Sequence, residues 1–345
     1  MERMSHENLI KLAKAVGRQA PLSYSATEQY SAEQVEEVLR GQFQLLAGNY
    51  NDYRRNQIEI FELIETALDE ILPRKVEQQY NQFAQVSTIG DGDKAVFTQA
   101  ITEAARKRAK TFVTRVGIAG RYETFMLDGK SLTIETSAIG SAARIGFEEL
   151  LEGKLQFSTL TDIVMEGMDE YITKEIMKAL DNVMGNLPEN NVHTSAGFDE
   201  AAMDQLIGIA KSYGNNVTIF CDRLFAGRML PAGSYAAMSD RMKEELWNNG
   251  RFASYKGTRV VILDNAVADV DNKEWALDPS KAYILPAGEQ KPVKLVFEGG
   301  THVRTEDHND DWSQDMHIFR KFGIAVFTNP GICQYTNTDL KKVLA

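Results

Sequence analysis

The sequence predicts an α+β fold in which a helical N-terminal region and a long buried helix precede a domain of mixed helices and strands. Apolar residues recur at helical spacing in residues 31–83, and they recur again over the longer stretch Phe157–Met184. Beyond Leu187, short apolar strand patterns alternate with amphipathic helical patterns. We expect two connected lobes, because 345 residues exceed the usual size of one domain.

Composition and charge place the chain among folded proteins and exclude one class of function. Hydrophobic residues make up 43% of the chain and charged residues 25%, which is ordinary for a protein with a real core. The formal net charge is -11 and the isoelectric point is about 5.1. Neutralising nucleic-acid phosphates requires clustered Lys and Arg, so this balance argues against a DNA condenser.

Cysteine usage and the N-terminal sequence bear on the compartment. Cys221 and Cys333 are too few and too far apart for a disulfide framework, and they are interpreted as two small buried hydrophobes in a reducing environment. The first residues lack the apolar core of a secretory signal, and no stretch approaches eighteen uncharged apolar residues. We therefore expect a soluble protein that is intracellular when it is made.

The N-terminal region is predicted to form two amphipathic helices that need a partner. Ser31 and Gln34 have the spacing of a capping box, Asn49 lies at the break between the helices, and Pro73 should kink the second helix. Such an arm is not expected to fold alone. The apolar positions of the second helix are Ile60, Phe61, Ile64, Leu68, Ile71, Leu72 and Val76.

A protruding hairpin is predicted next. After a turn at residues 90–93, a short helix should run to about Lys110 and end in a basic cluster that is interpreted as a solvated face. The strands that follow have no wide apolar face, so the hairpin should extend outward. These strands are residues 111–117, 121–127 and 131–136, with the two-residue turn Asp128-Gly129 between the last two.

The second half is predicted to be a mixed α/β domain. Phe157–Met184 forms a long buried helix, and Asp199–Tyr213 forms an amphipathic helix that Gly214 ends. Asp222 and Ser239 should each precede a further short helix. The expected strands are 217–221, 259–263, 282–285, 293–298, 302–306 and 318–328.

The sequence lacks the phosphate-loop, dinucleotide-binding, nucleophile-elbow and zinc-protease motifs. Two enzymatic alternatives remain open. His302, His308 and the nearby carboxylates could serve a metal-dependent hydrolase, although their irregular spacing favours a hydrated loop. Cys221 could be a nucleophile with His193 or His317 as its base, although a buried thiol at a strand end is favoured.

The order of these parts and the C-terminal sequence together resemble the major capsid proteins of tailed bacteriophages. The C-terminal stretch runs from Arg304 to Trp312 (RTEDHNDDW), continues from Met316 to Val326 (MHIFRKFGIAV), and reaches Asn329-Pro330. An acidic segment followed by an aromatic residue, a long strand and a proline is typical of that family. The resemblance implies the Hong Kong ninety-seven type capsid fold, which encapsulins share.

The resemblance also implies four segments. Residues 1–89 would be a helical N-terminal arm that is not cleaved and clasps a neighbouring subunit. Residues 90–186 would hold the extended E-loop and the peripheral domain with its spine helix, and residues 187–286 the axial domain. Residues 287–345 would return to the peripheral domain and form the C-terminus.

The function that the resemblance implies is a non-enzymatic shell subunit. It would self-assemble into hexamers and pentamers of an icosahedral phage head around double-stranded DNA, in the host bacterial cytoplasm, without cofactor, metal or membrane. Portal protein, and scaffolding or decoration proteins, would be its partners. The alternative within the same fold is an encapsulin-like nanocompartment that encloses a cargo enzyme. An acidic lining suits either container.

The contacts between subunits are expected on the E-loop and the arm. Family members that cross-link the E-loop join a lysine to an asparagine, which would be Lys130 with Asn329 or Asn337 here, although an ordinary exposed lysine is favoured. The expected interface residues are Arg115, Arg121, Tyr122, Asp128, Gly129, Lys130 and Arg144 on the E-loop, with Phe61 and Leu68 on the arm.

Overall fold

A computed structural model of the chain gives ten helical segments and fourteen strands among the residues that it describes. The helices are α1 (His6–Arg18), α2 (Ala32–Leu46), α3 (Tyr50–Tyr80), α4 (Glu103–Thr111), α5 (Phe157–Met184), a 3-10 turn (Glu189–Asn191), α6 (Glu200–Tyr213), α7 (Arg223–Arg228), α8 (Asp240–Asn249) and α9 (Thr338–Val343). The described residues are 3–18, 22–23, 29–46, 49–99, 101–113, 115, 124, 129–145, 157–214, 216–229, 240–263, 265, 267, 271, 275–287, 291–307 and 314–343.

The strands fall into two larger sheets and two pairs. A four-stranded sheet has the order β3-β12-β13-β6, and a six-stranded sheet has the order β7-β14-β11-β8-β10-β9. The strands are β1 (Leu22–Ser23), β2 (Gln29–Tyr30), β3 (Ala84–Ile89), β4 (Ala95–Gln99), β5 (Lys130–Ile134), β6 (Ser137–Ile145), β7 (Val192–Ser195), β8 (Asn216–Cys221), β9 (Ser254–Tyr255), β10 (Thr258–Ile262), β11 (Lys281–Ala287), β12 (Val293–Asp307), β13 (Gln314–Val326) and β14 (Cys333–Asn337).

Local side chains begin the helices where the sequence predicts. The Ser31–Gln34 capping box is confirmed, since the Gln34 side chain accepts a hydrogen bond from Ser31 N at 3.0 Å. The Asn49 side chain accepts from Asp52 N at 2.9 Å and so begins α3, while Asp199 and Asp222 cap α6 and α7 in the same way. The long helix α5 has the predicted bounds.

The N-terminal helices bury their apolar stripe on their own chain, and the contact of the arm with a neighbouring subunit stays a prediction. Helices α3 and α5 contact each other and cover the four-stranded sheet, and α1 packs against α2 and α3. Leu68, expected at a subunit interface, is 1% exposed within the chain, and Phe61 is half-buried against the same core. The stripe needs a partner, as predicted, and this chain supplies one.

The six-stranded sheet forms the second lobe, and its composition moves one predicted boundary. Strand β14 pairs antiparallel with β11 and parallel with β7, so the C-terminal strand belongs to this sheet and does not return to the four-stranded one. Strands β12 and β13 do belong to the four-stranded sheet. The two lobes share one core, in which the Phe83 and Phe220 rings lie 4.6 Å apart.

The hairpin differs from the prediction in its pairing. Residues 95–99, expected to be helical, form β4, and the helix begins only at Glu103, where the Thr102 side chain caps it. Thr111 therefore ends a helix and does not start a strand. The predicted strand 131–136 exists as β5, but its antiparallel partner is β4, from Ala95 opposite Ile134 to Gln99 opposite Lys130. Most of the predicted 121–127 strand lies outside the described residues.

Candidate subunit-contact hairpin

The β4–β5 hairpin packs one face on the molecule and exposes the other. Strands β4 and β5 form a sheet of their own that joins neither larger sheet. At the base, Ala95 and Ile134 are buried against Val296 of β12. On the opposite face of the pair, the next residue of β4, Val96, is 54% exposed. A two-stranded sheet is marginal by itself in water, so this hairpin depends on what its base contacts.

Glu298 binds both the chain segment that enters the hairpin and the segment that leaves it. Its carboxylate accepts hydrogen bonds from the Gly92 amide at 2.9 Å, on the chain entering the hairpin, and from the Thr136 hydroxyl, on the chain leaving it. Lys321 of the neighbouring strand β13 donates to the same carboxylate at 2.8 Å. The Lys321 ammonium, the Thr136 hydroxyl and the Gly92 amide together lower the pKa of Glu298 to about 2.

The chain around Glu298 is shaped to receive the entering loop. The register of β12 and β13 shifts between Glu298 and His302, and Gly299 there has a φ of +66°. A Cβ at Gly299 would lie 2.2 Å from Asp91 Oδ1, so only glycine permits this approach without movement of Asp91. Lys321 also contacts Asp91 at 3.4 Å, which ties the loop to the sheet.

A buried arginine joins the long helix α3 to the strand that carries Lys321. Arg320 is 2% exposed, its guanidinium lies 3.4 Å from the Asp69 carboxylate, and it stacks 4.8 Å from the Phe297 ring centre. It also donates to the backbone carbonyls of Leu68 and Asp69 at 3.3 and 3.5 Å. Pro73 has no N–H for the Asp69 carbonyl four residues before it, so Arg320 fills the gap that the proline leaves.

The predicted hairpin residues have different outcomes. Arg115 and Gly129 are exposed, and Lys130 begins β5 and donates to the Thr328 hydroxyl at 3.3 Å within its own chain. Arg144, expected on the hairpin, lies in β6 opposite Asp315 of β13. Arg121, Tyr122 and Asp128 lie outside the described residues.

The sequence did not single out Glu298, Lys321, Asp69 or Arg320. Two signals were present for them. The Gly299-Gly300 pair inside a strand pattern indicates a bulge, and a bulge re-aims the residue beside it. The proline inside the α3 pattern indicates a carbonyl that needs a donor from elsewhere. Neither signal identifies the distant partner, because the contacts of Glu298 with Gly92 and Thr136, and that of Arg320 with Leu68, each span more than 150 residues of sequence.

The enzymatic alternatives find little support in this geometry. Burial raises the pKa of the Cys221 thiol to about 12, so Cys221 is a neutral thiol at the end of β8, as favoured. In the part of the chain that the structure describes, no three His, Cys, Asp or Glu side chains gather as metal ligands, and His308 lies outside that part. The described helices include none long and apolar enough to cross a membrane.

Comparison with protein families decides the relationship. The model of a family described as "SPbeta prophage-derived putative capsid protein YonB" matches residues 9–334, which is nearly the whole chain. The chain belongs to the YonB family of capsid proteins. No curated protein matches this YonB-family chain.

Solved capsid structures share the fold of the YonB-family chain at low sequence identity. The mature capsid of bacteriophage PhiM1 is 11% identical with a TM-score of 0.50, and the match covers 75% of this chain and 87% of that one. The capsid of a native GTA particle is 10% identical (TM-score 0.51, 75% and 89% covered), and that of Microbacterium phage Oxtober96 is 11% identical (TM-score 0.51, 75% and 90% covered). The predicted tailed-phage capsid fold is therefore confirmed, and the protein is a capsid protein.

Proposed function

We propose that this protein is the major, non-enzymatic subunit of a tailed-phage head. Copies made in the host bacterial cytoplasm assemble into hexamers and pentamers of an icosahedral shell around double-stranded DNA. The lobe of the four-stranded sheet and α5 serves as the peripheral domain, and the lobe of the six-stranded sheet as the axial domain. A portal protein, and scaffolding or decoration proteins, complete the partner set.

The observation that carries the proposal is the exposed face of the anchored hairpin. Three large apolar residues lie exposed on β4 or in the chain that runs from β4 to β5: Val96 at 54%, Ile101 at 40% and Val113 at 85%. Apolar side chains gain free energy when a partner covers them, and the Glu298 contacts give the hairpin a defined direction in which to meet one. A neighbouring copy in the same ring is that partner, through a head-to-tail contact that closes by rotation.

Microscopy of the purified protein and of hairpin variants tests this proposal. The double variant Val96→Ser/Val113→Ser should remain folded, because both residues are exposed in the single chain, but should no longer form rings, tubes or shells. Ile58→Ser, at an exposed position of α3 (83%), is the matched control. Assembly by the double variant as efficient as that of the wild type contradicts the role of the hairpin.

The encapsulin-like alternative differs in content and not in fold. Particles of a phage head carry double-stranded DNA, while a nanocompartment carries protein cargo. The ratio of absorbance at the nucleic-acid and protein maxima of purified particles, before and after nuclease treatment, separates the two. DNA that withstands nuclease inside intact particles supports the phage head, and empty or protein-filled particles support the nanocompartment.

A further inference from the structure

The second lobe contains a basic cavity that the shell function does not require. Its volume is about 470 Å³, and three arginines line it together with Asn249 and residues 260–262 of β10. Arg223 comes from the first turn of α7, Arg251 follows α8, and Arg259 lies in β10. Three separate parts of the chain thus each contribute an arginine to the lining of one cavity.

The three guanidinium groups have no counterion in the described part of the chain. No carboxylate there lies within ion-pair distance of Arg223, Arg251 or Arg259. By contrast, Lys256, a short distance along the chain, is satisfied by both Glu200 and Asp204. The positive charges of the three arginines repel one another across the cavity. This local excess of positive charge contrasts with the net charge of the chain, which is -11. An anion in the cavity would remove the repulsion.

We propose that this cavity binds a phosphate-bearing anion. One guanidinium fork already satisfies a single carboxylate, whereas three forks with five N–H donors each match an anion that carries several charges and many acceptor oxygens. The Asn249 side chain adds an amide donor at the same wall. A free polyphosphate and the backbone of a nucleic acid share this chemistry.

Calorimetric titration of the full-length protein with sodium triphosphate at low salt tests the site. The wild type and the control Arg241→Gln, an exposed arginine of α8 outside the cavity, should bind saturably. Arg251→Gln/Arg259→Gln should bind roughly tenfold more weakly or worse, because two charge-assisted contacts are lost. Circular dichroism confirms that each variant is folded.

Competition with a short DNA duplex identifies the source of the phosphate. Displacement of triphosphate by the duplex assigns the site to a nucleic-acid backbone, and triphosphate binding without displacement assigns it to a free phosphate compound. Absence of saturable triphosphate binding to the wild type, or equal binding by the double variant, overturns the proposal. A third outcome is that the wild type does not bind triphosphate but the double variant no longer forms rings. That outcome would overturn the proposal and show that the arginines pair with carboxylates of a second copy. Ring and shell formation is measured separately by microscopy, so a failure of triphosphate binding can be told apart from a failure of shell assembly.

Discussion

At the scale of single residues, two charged side chains determine how distant segments meet. Glu298 joins the entry and exit of the hairpin, and Arg320 joins α3 to β13 at the carbonyl that Pro73 leaves without a donor. Both side chains are almost completely covered by the chain. Burying a charge costs free energy unless the charge is paired and hydrogen-bonded. Each of these two side chains therefore stabilises the fold only while its partners remain in place.

Glu298 should make the stability of the subunit sensitive to acid. Its pKa is about 2 in the folded chain against an ordinary value of 4.5, so its contribution is present above pH 4.5 and is lost as the pH falls toward 2. The free energy of unfolding of Glu298→Gln, measured by urea titration from pH 6 down to pH 2, should lack this part of the decline. A pH profile parallel to that of the wild type would contradict the assignment. Amide exchange at Gly92 should also be faster in the variant.

Arg320 and Pro73 should be energetically coupled. Arg320→Met should lower the free energy of unfolding by about 2 kcal/mol, less than a fully buried pair would lose, because the Asp69 carboxylate is partly exposed. Pro73→Ala returns an N–H to the Asp69 carbonyl, so the same substitution should cost about 1 kcal/mol less in that background. A double-mutant cycle measures this coupling. Strictly additive effects would show that Arg320 does not replace the missing donor.

At the scale of elements, the sequence predicts what is local and misses what is distant. The bounds of α5, the capping box of α2 and the caps of α6 and α7 follow from spacing and side-chain chemistry within a few residues. The partner of β5 does not, because β4 lies some thirty residues earlier and a nearer segment also has strand character. The apolar stripe of α3 likewise predicts burial without telling which chain covers it.

The burial of α3 within its own chain can be measured on one helix. Leu68→Ala should lower the free energy of unfolding of the unassembled subunit by about 2–5 kcal/mol, since it leaves a cavity in the core. Ile58→Ala, at the 83% exposed position of the same helix, should change it by less than about 0.5 kcal/mol. If Leu68→Ala affected assembly alone and left subunit stability unchanged, the stripe would belong to a neighbour after all.

At the scale of the whole molecule, the end of α5 ties the two lobes together. Asp181 near that end accepts hydrogen bonds from the Tyr283 hydroxyl at 2.8 Å and from Lys281 at 2.7 Å, both on β11 of the six-stranded sheet. Burial and the Asp181 carboxylate raise the pKa of Tyr283. Together with the shared core at Phe83 and Phe220, these contacts lead us to expect that the two lobes unfold as one unit.

The contacts of Asp181 with β11 should contribute to the free energy of unfolding. Asp181→Ala should lower the free energy of unfolding by about 1–2 kcal/mol, because it leaves the buried Tyr283 hydroxyl without its partner. Glu175→Ala on the same helix, whose ion pair with Lys178 is more exposed, should change it by less than about 0.5 kcal/mol. Calorimetry should show one transition for the wild type. Two separate transitions would contradict a shared core.

The assembled particle tests the central claim most directly. Cryo-electron microscopy of particles formed by the purified protein should show rings of five and six copies in a closed shell, with the β4–β5 hairpin of each copy lying over the next copy. A protein that stays monomeric at high concentration, or a shell in which each hairpin contacts only its own chain, would contradict the account.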